Sequence, residues 1–481
     1  MLPSIFKRHK LIGNPLLINF FSIIGLMVIL SSCGDSPGVS FTVGGAVYGM
    51  TGSGMVLQNN NGDDKTISVN GYFVFATPVR NGATYSVTIK TQPSNPAQVC
   101  TVNNGSGTIN TGVIGDVRVE CVANSTSVTV DPSGKFAYAS NYNFSNVSSY
   151  DIDQTNGKLF NETRVASGSN PSIVTLDPLG KFAYVSNINN GNISSYAIEI
   201  DGTLNPTIPS VVNAGTFPNP VTIDKTGKYA YVSNIVDKTI MAYTINQSTG
   251  ALTFLNTVAT DIFPIQVTID PLNRFAYVVN IGSDTISPYI ISTDGSLIAG
   301  THVFSGVNPM SVTIDPTGKF VYVANAGSNN VSIYSIETDG ALTPIKSVNA
   351  GTYPISLTID PSGKFAYVTN VSSNNISVYT IGTDGSLTAG TAVATGTHPT
   401  PLAIDPSGKF AYVANVGSGN ISVYTIGTNG SLTAGTAVTT GSYPNPVIID
   451  PLGRFVYVSS TSDGTVWVYT INQSTGELTL Q

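Results

Sequence analysis

The chain has 481 residues, enough for more than one domain, and 41% of them are hydrophobic while only 10% are charged, which excludes a disordered protein. Lys and Arg number 20 against 27 Asp and Glu, and three of the basic residues lie in an N-terminal segment that we expect to be removed. No basic stripe remains in the rest of the chain, so we expect no nucleic-acid partner.

The first 32 residues have the pattern of a secretory signal peptide. Three basic residues precede an apolar run from Leu16 to Leu30, and two serines stand before Cys33. A basic region, an apolar region and small residues before the cleavage point are typical of such signals. A transmembrane anchor is the alternative, but no basic stop-transfer flank follows the apolar run.

The run Leu30-Ser31-Ser32-Cys33 resembles the lipobox of bacterial lipoproteins. The resemblance implies cleavage after residue 32, acyl chains on Cys33 and a lipidated tether over residues 33–40. Three acyl chains are enough for stable anchoring, so the lipid bilayer is an expected partner. Gly34 implies export to the outer membrane, facing the periplasm or the cell surface. A chance cysteine within an ordinary signal is the alternative.

Residues 41–124 predict a small β-sandwich. Tyr85 to Ile89 alternate apolar and polar side chains, as in a half-buried strand. Pairs such as Asn70-Gly71 and Asn81-Gly82 mark turns between short apolar runs. This pattern resembles the immunoglobulin- or prealbumin-like spacers of bacterial surface lipoproteins, and it identifies no ligand.

Cys100 and Cys121 are the only cysteines besides Cys33. Each lies in a predicted strand of a chain that is expected to mature in an oxidising compartment, so we predict a disulfide between them. A metal or redox pair is the alternative, but neither a CxxC spacing nor a neighbouring His supports it.

The rest of the chain is a repeat. Asp360-Pro-Ser-Gly-Lys-Phe-Ala-Tyr-Val-Thr-Asn370 has seven near-copies, which follow one another at spacings of 45 to 47 residues. Each unit shows four short strand patterns joined by turns, and such units predict the blades of a β-propeller over residues 125–481. The copies begin at Asp131, Asp177, Asp224, Asp270, Asp315, Asp405 and Asp450.

The stretch Tyr367-Val368-Thr369-Asn370 matches the YVTN-type propeller repeat, and the array resembles the propeller lactonase family, typified by a bacterial 6-phosphogluconolactonase. The resemblance covers about 355 residues and implies seven blades. Because eight motifs with complete units fit between residue 125 and the end of the sequence, we favour eight blades over seven. Seven blades with one displaced unit is the alternative.

The shared residues of the repeat are expected to be structural. Asp, Pro and Gly at positions one, two and four of a turn form type I turns, so the eight Asp residues are predicted as turn formers rather than a metal ring. The Asn that ends each motif is predicted to cap a strand end rather than to bind a ligand. We therefore expect no metal and no cofactor.

The residue before each inter-blade proline breaks the symmetry of the repeat. An inter-blade proline is present in seven units, and in five of them the residue before it carries a ring. These rings could bind sugar faces or a protein, or they could pack over blade junctions. The candidate binding rim comprises Phe217, Phe263, Tyr353, His398 and Tyr443, with Asn170 and Asn308 at the other two positions.

Catalytic equipment is sparse, with His302 and His398 as the histidines of the mature chain and no nucleophile elbow, HExxH motif or phosphate loop. Asp237, Asp261, Asp284 and Asp463 lie in loops of the face opposite the Asp-Pro turns, together with Lys238. The sequence therefore favours an envelope lipoprotein whose propeller recognises an extracellular protein or glycan, without a committed enzymatic activity. A hydrolase of the lactonase type and a purely structural envelope protein are the alternatives.

Overall fold

The computed structural model describes residues 39–48, 50, 54–68, 71–93, 99–110, 112, 114–122, 126–142, 144–460 and 465–481. The expected signal peptide, Cys33 and Asp463 lie outside these ranges. Within them, no helix is long and apolar enough to cross a membrane.

Ten strands precede the repeat array. They are β1 (Ser40–Phe41), β2 (Val43–Tyr48), β3 (Met55–Asn59), β4 (Asp63–Ile67), β5 (Gly71–Val74), β6 (Val79–Arg80), β7 (Thr84–Thr91), β8 (Val99–Asn103), β9 (Ser106–Thr108) and β10 (Ile114–Val122). They form sheets of order β5-β2-β10-β8 and β4-β3-β7-β9 and the pair β1-β6, around a core that includes Val43, Leu57, Phe73 and Val119. Alternation along β7 buries Tyr85 and Val87 and exposes Thr84, Ser86 and Thr88.

The backbone register of β8 and β10 sets Cys100 directly opposite Cys121. Cys100 is buried and disulfide-bonded. The side chain of Cys121 is not among those described, so the bond between these two cysteines stays a prediction that the register favours.

The repeat array follows as successive antiparallel sheets of four strands, in chain order from the innermost to the outermost strand. In three sheets the outermost strand is split in two. The sheets are β11–β14 (Thr126–Val130, Phe136–Asn141, Asn146–Ile152, Leu159–Ala166); β15–β18 (Thr175–Leu176, Phe182–Asn187, Asn192–Ile198, Leu204–Asn213); β19–β22 (Thr222–Ile223, Tyr229–Asn234, Thr239–Ile245, Leu252–Ala259); β23–β27 (Thr268–Ile269, Phe275–Asn280, Thr285–Ile291, Leu297–Ala299, Val303–Phe304); β28–β31 (Pro309–Ile314, Phe320–Asn325, Asn330–Ile336, Leu342–Asn349); β32–β36 (Pro354–Ile359, Phe365–Asn370, Asn375–Ile381, Leu387–Ala389, Val393–Ala394); β37–β41 (Ala403–Ile404, Phe410–Asn415, Asn420–Ile426, Leu432–Ala434, Val438–Thr439); and β42–β45 (Ile448–Ile449, Phe455–Ser459, Val466–Ile471, Leu478–Leu480). The described residues thus form eight such sheets.

The second strand of each sheet is apolar on both faces because sheets pack against both of its sides. In β33, every residue after Phe365 is buried. The antiparallel order places the Asp-Pro turns on one side of the array, here called the lower face. The loops from second to third strand, and from each fourth strand to the next first strand, lie on the upper face.

Two aromatic residues of the motif join each sheet to the next: a tyrosine and, two positions before it, a phenylalanine that Tyr229 replaces in the sheet β19–β22. Buried Tyr367 donates its hydroxyl hydrogen to the carbonyl oxygen of Gly430 at 2.9 Å, and Phe365 lies against the same glycine. Every sheet repeats this bond, and the last one, from Tyr457 to Gly157 at 3.1 Å, joins the final sheet to the first. The array is therefore closed into a ring by the same contact that stacks its members.

Candidate functional site

The Asp residues of the lower face are occupied by their own turns. Asp405 is buried, and its Oδ1 accepts the backbone N–H groups of Lys409 and Phe410 at 2.8 and 2.7 Å. Its Oδ2 accepts the N–H of Ser407 at 3.0 Å and also the Ser407 hydroxyl. Carboxylates that are saturated in this way have no lone pair left for an ion, so the predicted turn-forming role is confirmed.

The Asn residues that end the second strands are equally committed to the fold. Asn187 is fully buried, and its amide group donates to Asn192 Oδ1 at 2.7 Å and to Ser194 Oγ at 2.9 Å. Its oxygen accepts the N–H of Gly168 at 3.1 Å, from the loop that passes over it. The predicted capping role is thus confirmed for Asn187. The side-chain amide nitrogens of Asn325, Asn370 and Asn415 make the same kind of bond at 2.8–2.9 Å, while their Oδ1 atoms are buried without a hydrogen-bond partner among the described residues.

The rim residues share an unusual backbone conformation. All seven residues before the inter-blade prolines have positive φ, between 52° and 60°. Asn tolerates this left-handed region, whereas an aromatic residue adopts it only when the surrounding structure enforces it. At His398 the N–H donates to Asn374 Oδ1 at 2.9 Å, and the carbonyl oxygen accepts the N–H of Val416 at 2.9 Å.

The rim side chains are partly exposed and partly seated on loops. Phe217, Phe263 and Tyr443 expose 46%, 54% and 51% of their surface. A Cβ added to Gly282 would lie 2.7 Å from the Phe263 ring, and one added to Gly417 would lie 2.8 Å from the His398 ring. The rings of Phe263 and His398 therefore have one flank packed on the loop of their own sheet, and whether the rim binds a ligand stays a prediction.

In the described upper-face loops, the charged residues that the repeat does not share lie over the sheets β19–β22 and β23–β27. Two of them serve the loops: Asp237 Oδ2 accepts the N–H of Thr216 at 2.7 Å, and Asp284 Oδ1 accepts the N–H of Asn308 at 2.7 Å. No group of three or more His, Cys, Asp and Glu side chains in the described ranges is arranged to hold a metal ion.

Asp261 differs because it meets a histidine. Its Oδ2 accepts the Thr285 hydroxyl hydrogen at 2.6 Å and lies 3.5 Å from Nδ1 of His302. The His302 and Phe304 rings are in edge contact, with centroids 6.3 Å apart, and 75% of the Phe304 surface is exposed. Sequence reasoning named Asp261 and His302 separately and missed the pair, since the two positions lie in different units of the repeat.

A signal for Asp261 was present in the repeat itself. The other six loops of this kind have Gly at its position, as in Gly306 and Gly396, where an added Cβ would lie 2.7 Å from the Asn below. Among the seven loops that precede an inter-blade proline, the one with Asp261 thus carries a carboxylate at a position where the other six have no side chain.

Solved structures of low sequence identity share the propeller fold. Sqt1 from Chaetomium thermophilum is 14% identical with a TM-score of 0.60, over 73% of this chain and 97% of that protein. The periplasmic gluconolactonase of Pseudomonas aeruginosa is 19% identical with a TM-score of 0.51, over 66% and 95%. A candidate 6-phosphogluconolactonase from Bacteroides uniformis is 20% identical with a TM-score of 0.51, over 70% and 90%. No curated protein gives a significant match.

The family model described as "Lactonase, 7-bladed beta-propeller" matches residues 85–222, 206–314, 299–400 and 386–481. This description corrects the fold-class prediction, because the preference for eight blades over seven is wrong for the family. The prediction counted the motifs of this chain, whereas the family description states the blade number that is typical of the family. The eight four-stranded sheets of this chain are a feature that the family description does not include. The matches together span most of the chain, which therefore belongs to the lactonase family of β-propellers.

Proposed function

We propose that the protein hydrolyses a sugar lactone on the upper face of its propeller. The observation that carries this proposal is the match to the lactonase family model, whose four overlapping matches together cover residues 85–481. Similarity in fold to a periplasmic gluconolactonase supports it. This replaces the sequence-based preference for a recognition platform as the principal function.

The charge of the upper face favours a neutral lactone over a phosphorylated one. Recognition of a phosphate calls for Arg or Lys side chains that donate charge-assisted hydrogen bonds. In the described parts of the upper-face loops, Lys238 is the one Lys or Arg. The chain as a whole has a net charge of −7, so its field opposes the approach of an anion.

The test is an assay of purified protein, without residues 1–32, against glucono-δ-lactone and 6-phosphoglucono-δ-lactone. Ring opening is followed by acid release in weak buffer, and spontaneous hydrolysis is subtracted. We expect catalysis with a larger kcat/KM for the neutral lactone. A rate equal to the spontaneous rate across aldonolactones of five- and six-membered rings would contradict the proposal, and a preference for the phosphorylated lactone would contradict the charge argument.

A second proposal concerns the rim, which we infer to bind the apolar face of a saccharide or an extracellular protein. Five ring-bearing residues adopt the left-handed backbone conformation, although Asn, which stands at the other two rim positions, fits this conformation at lower cost. Rings that are kept in spite of this cost support a binding role. Simultaneous substitution of Phe217, Phe263, Tyr353 and Tyr443 by Ala is expected to remove binding in a glycan array or a cell-binding assay. Unchanged binding by a variant with an unchanged circular dichroism spectrum would refute it.

We also propose that Cys33 is acylated and anchors the protein in the bacterial envelope, with the outer membrane as its destination. The Leu30-Ser31-Ser32-Cys33 run supports this proposal. Globomycin should cause the precursor to accumulate, and Cys33→Ser should release the protein from the membrane fraction. Normal processing under the drug would contradict it.

A further inference from the structure

We propose that His302, positioned by Asp261 and Thr285, is the general base that activates water for lactone hydrolysis. This inference rests on the proposed hydrolytic function and assigns a site to it on the upper part of the sheet β23–β27. The substrate class is a neutral sugar lactone, with the exposed ring of Phe304 as the surface that its apolar face would cover.

Two independent departures from the repeat meet at this place. Asp261 stands where the other six loops have Gly. His302 stands at the position of Ala392 in the sheet β32–β36 and of Ala437 in the sheet β37–β41. The two residues are 41 positions apart in the chain, yet Asp261 Oδ2 and His302 Nδ1 are 3.5 Å apart. The carboxylate that replaces a glycine of the repeat, Asp261, thus lies next to His302, which stands between β26 and β27.

The loop has changed to accommodate the carboxylate. In two of the loops with Gly, the Gly N–H donates to the buried Asn oxygen: Gly168 to Asn187 at 3.1 Å and Gly215 to Asn234 at 2.9 Å. In this loop the Thr260 hydroxyl takes over that contact, donating to Asn280 Oδ1 at 2.8 Å. The scaffold bond is therefore preserved by another group, which leaves Asp261 to interact with Thr285 and His302.

The pair does little for stability. The side chains of His302 and Asp261 expose 53% and 30% of their surface, and ion pairs with this exposure contribute little to folding. A purely structural role would also be filled by Gly, as it is in the other loops. The arrangement instead resembles the requirement of general-base catalysis, in which one ring nitrogen is held by a carboxylate and the other is open to a reactant.

The geometry assigns each group a role. In the proposed scheme Asp261 accepts a hydrogen bond from Nδ1–H of His302 when this contact shortens, which leaves the lone pair on Nε2 for a proton. The 3.5 Å separation is longer than an ideal hydrogen bond, and such pairs commonly shorten when substrate binds. Thr285 donates to the same Oδ2 oxygen and so fixes the orientation of the carboxylate. Asp261 and Thr285 are positioning residues in this scheme.

The reaction balances without a cofactor. Nε2 of His302 accepts a proton from water while the water oxygen forms a bond to the lactone carbonyl carbon. The tetrahedral adduct then collapses by breaking the bond between that carbon and the ring oxygen. The departing alkoxide takes the proton back from the imidazolium, which gives the ring-opened hydroxy acid and the starting form of His302.

The test uses substitutions that the repeat itself contains. His302→Ala and Asp261→Gly restore the residues of other units, and Thr285→Asn introduces the residue found at Asn330 and Asn375. Each variant is therefore expected to fold. Ser347→Ala is the matched control, since Ser347 occupies the position of His302 in the following sheet and is exposed.

We expect His302→Ala to lower kcat on glucono-δ-lactone by about 10²–10⁴-fold with little change in KM, because a general base contributes to this extent. Added imidazole should restore part of the lost rate, which a merely structural histidine would not allow. Asp261→Gly should lower kcat on the order of tenfold or more, because the ring tautomer is no longer fixed. In ¹⁵N spectra, His302 should be protonated at Nδ1 in the wild-type protein and lose this preference in Asp261→Gly.

The outcomes separate this inference from the proposed function. Wild-type activity that survives His302→Ala unchanged would overturn the role of His302 and leave the lactonase function standing. A His302→Ala variant that loses activity but is not rescued by imidazole would also overturn it. An inactive wild-type protein would overturn both proposals, and loss of activity in Ser347→Ala would show that the effect is not specific to His302.

Discussion

The contact between Phe365 and Gly430 tests how neighbouring sheets are joined. Gly430 has a φ of +78°, and a Cβ at this position would lie 2.2 Å from Cδ1 and 2.4 Å from Cγ of Phe365. These atoms are close to the root of a rigid ring, so the ring cannot move aside without leaving its place between two sheets. Gly430→Ala is therefore expected to destabilise the propeller.

The magnitude has two parts. An alanine in the left-handed region costs about 1–2 kcal/mol, and overpacking a filled interior adds about 1–3 kcal/mol. Gly408→Ala is the matched control, because its φ is +72° while the nearest atoms, in Pro361, would be at 3.5 and 3.7 Å, which is ordinary contact. The control should show only the backbone cost, so the two variants should differ by about 1–3 kcal/mol.

The assay is equilibrium unfolding in urea, followed by tryptophan fluorescence. Trp467 is the single tryptophan and lies in the propeller strand β44, so the signal reports on the propeller rather than on the N-terminal module. Removing the ring in Phe365→Ala should reduce the cost of Gly430→Ala to that of Gly408→Ala. Equal destabilisation by Gly430→Ala and Gly408→Ala in the wild-type background would refute the packing argument.

Three further outcomes are expected. Tyr367→Phe should lower the free energy of unfolding by about 1–2 kcal/mol, because the buried carbonyl of Gly430 loses its donor; an unchanged urea midpoint would contradict this. Asp405→Ala should cost about 3 kcal/mol, since the turn loses the carboxylate that accepts two N–H groups of the second strand, and a stability equal to wild type would exclude that role. Burial, which is the largest cause, raises the pKa of the buried tyrosines Tyr138, Tyr184, Tyr231, Tyr277, Tyr322, Tyr367, Tyr412 and Tyr457. Because these pKa values are higher in the folded state, the free energy of unfolding keeps its full value below the unfolded pKa of about 10 and falls as the pH rises above about 10. Phenolate absorbance should therefore appear together with unfolding. A gradual titration of these tyrosines in the folded protein would contradict this expectation.

The rim shows where local rules fail. A residue before proline is normally extended, because the proline ring crowds its helical conformations. Phe217 and His398 instead have φ of +55° and +52°. His398 is held there by hydrogen bonds with Asn374 and Val416, which lie on loops of two neighbouring sheets, and the carbonyl oxygen of Phe217 accepts the N–H of Ile235. The sequence therefore predicted that the rim would be aromatic, while only the tertiary structure showed that its backbone is enforced.

The active-site assignment depends on the same distinction. His302 and Asp261 carry no shared motif, and their spacing of 41 residues has no meaning until the sheets are stacked. Comparison among the units could single out Asp261 as a replaced glycine, but it could not say which side chain the carboxylate would meet. Their contact depends on how the loop after β22 folds over the sheet that it enters, which brings Asp261 to the start of β25 and next to His302.

The sequence by itself determined the repeating unit, its turns and its strands, because these depend on neighbours within a dozen residues. The hydrogen bonds of Asp405 with Lys409, Phe410 and Gly408 lie inside one turn, so the role of this turn could be derived from spacing and residue chemistry alone. The tertiary structure decided which tyrosine meets which glycine, which backbone is held at positive φ and which histidine meets a carboxylate. Each of these depends on contacts between units, and a local pattern does not specify the partner across that boundary.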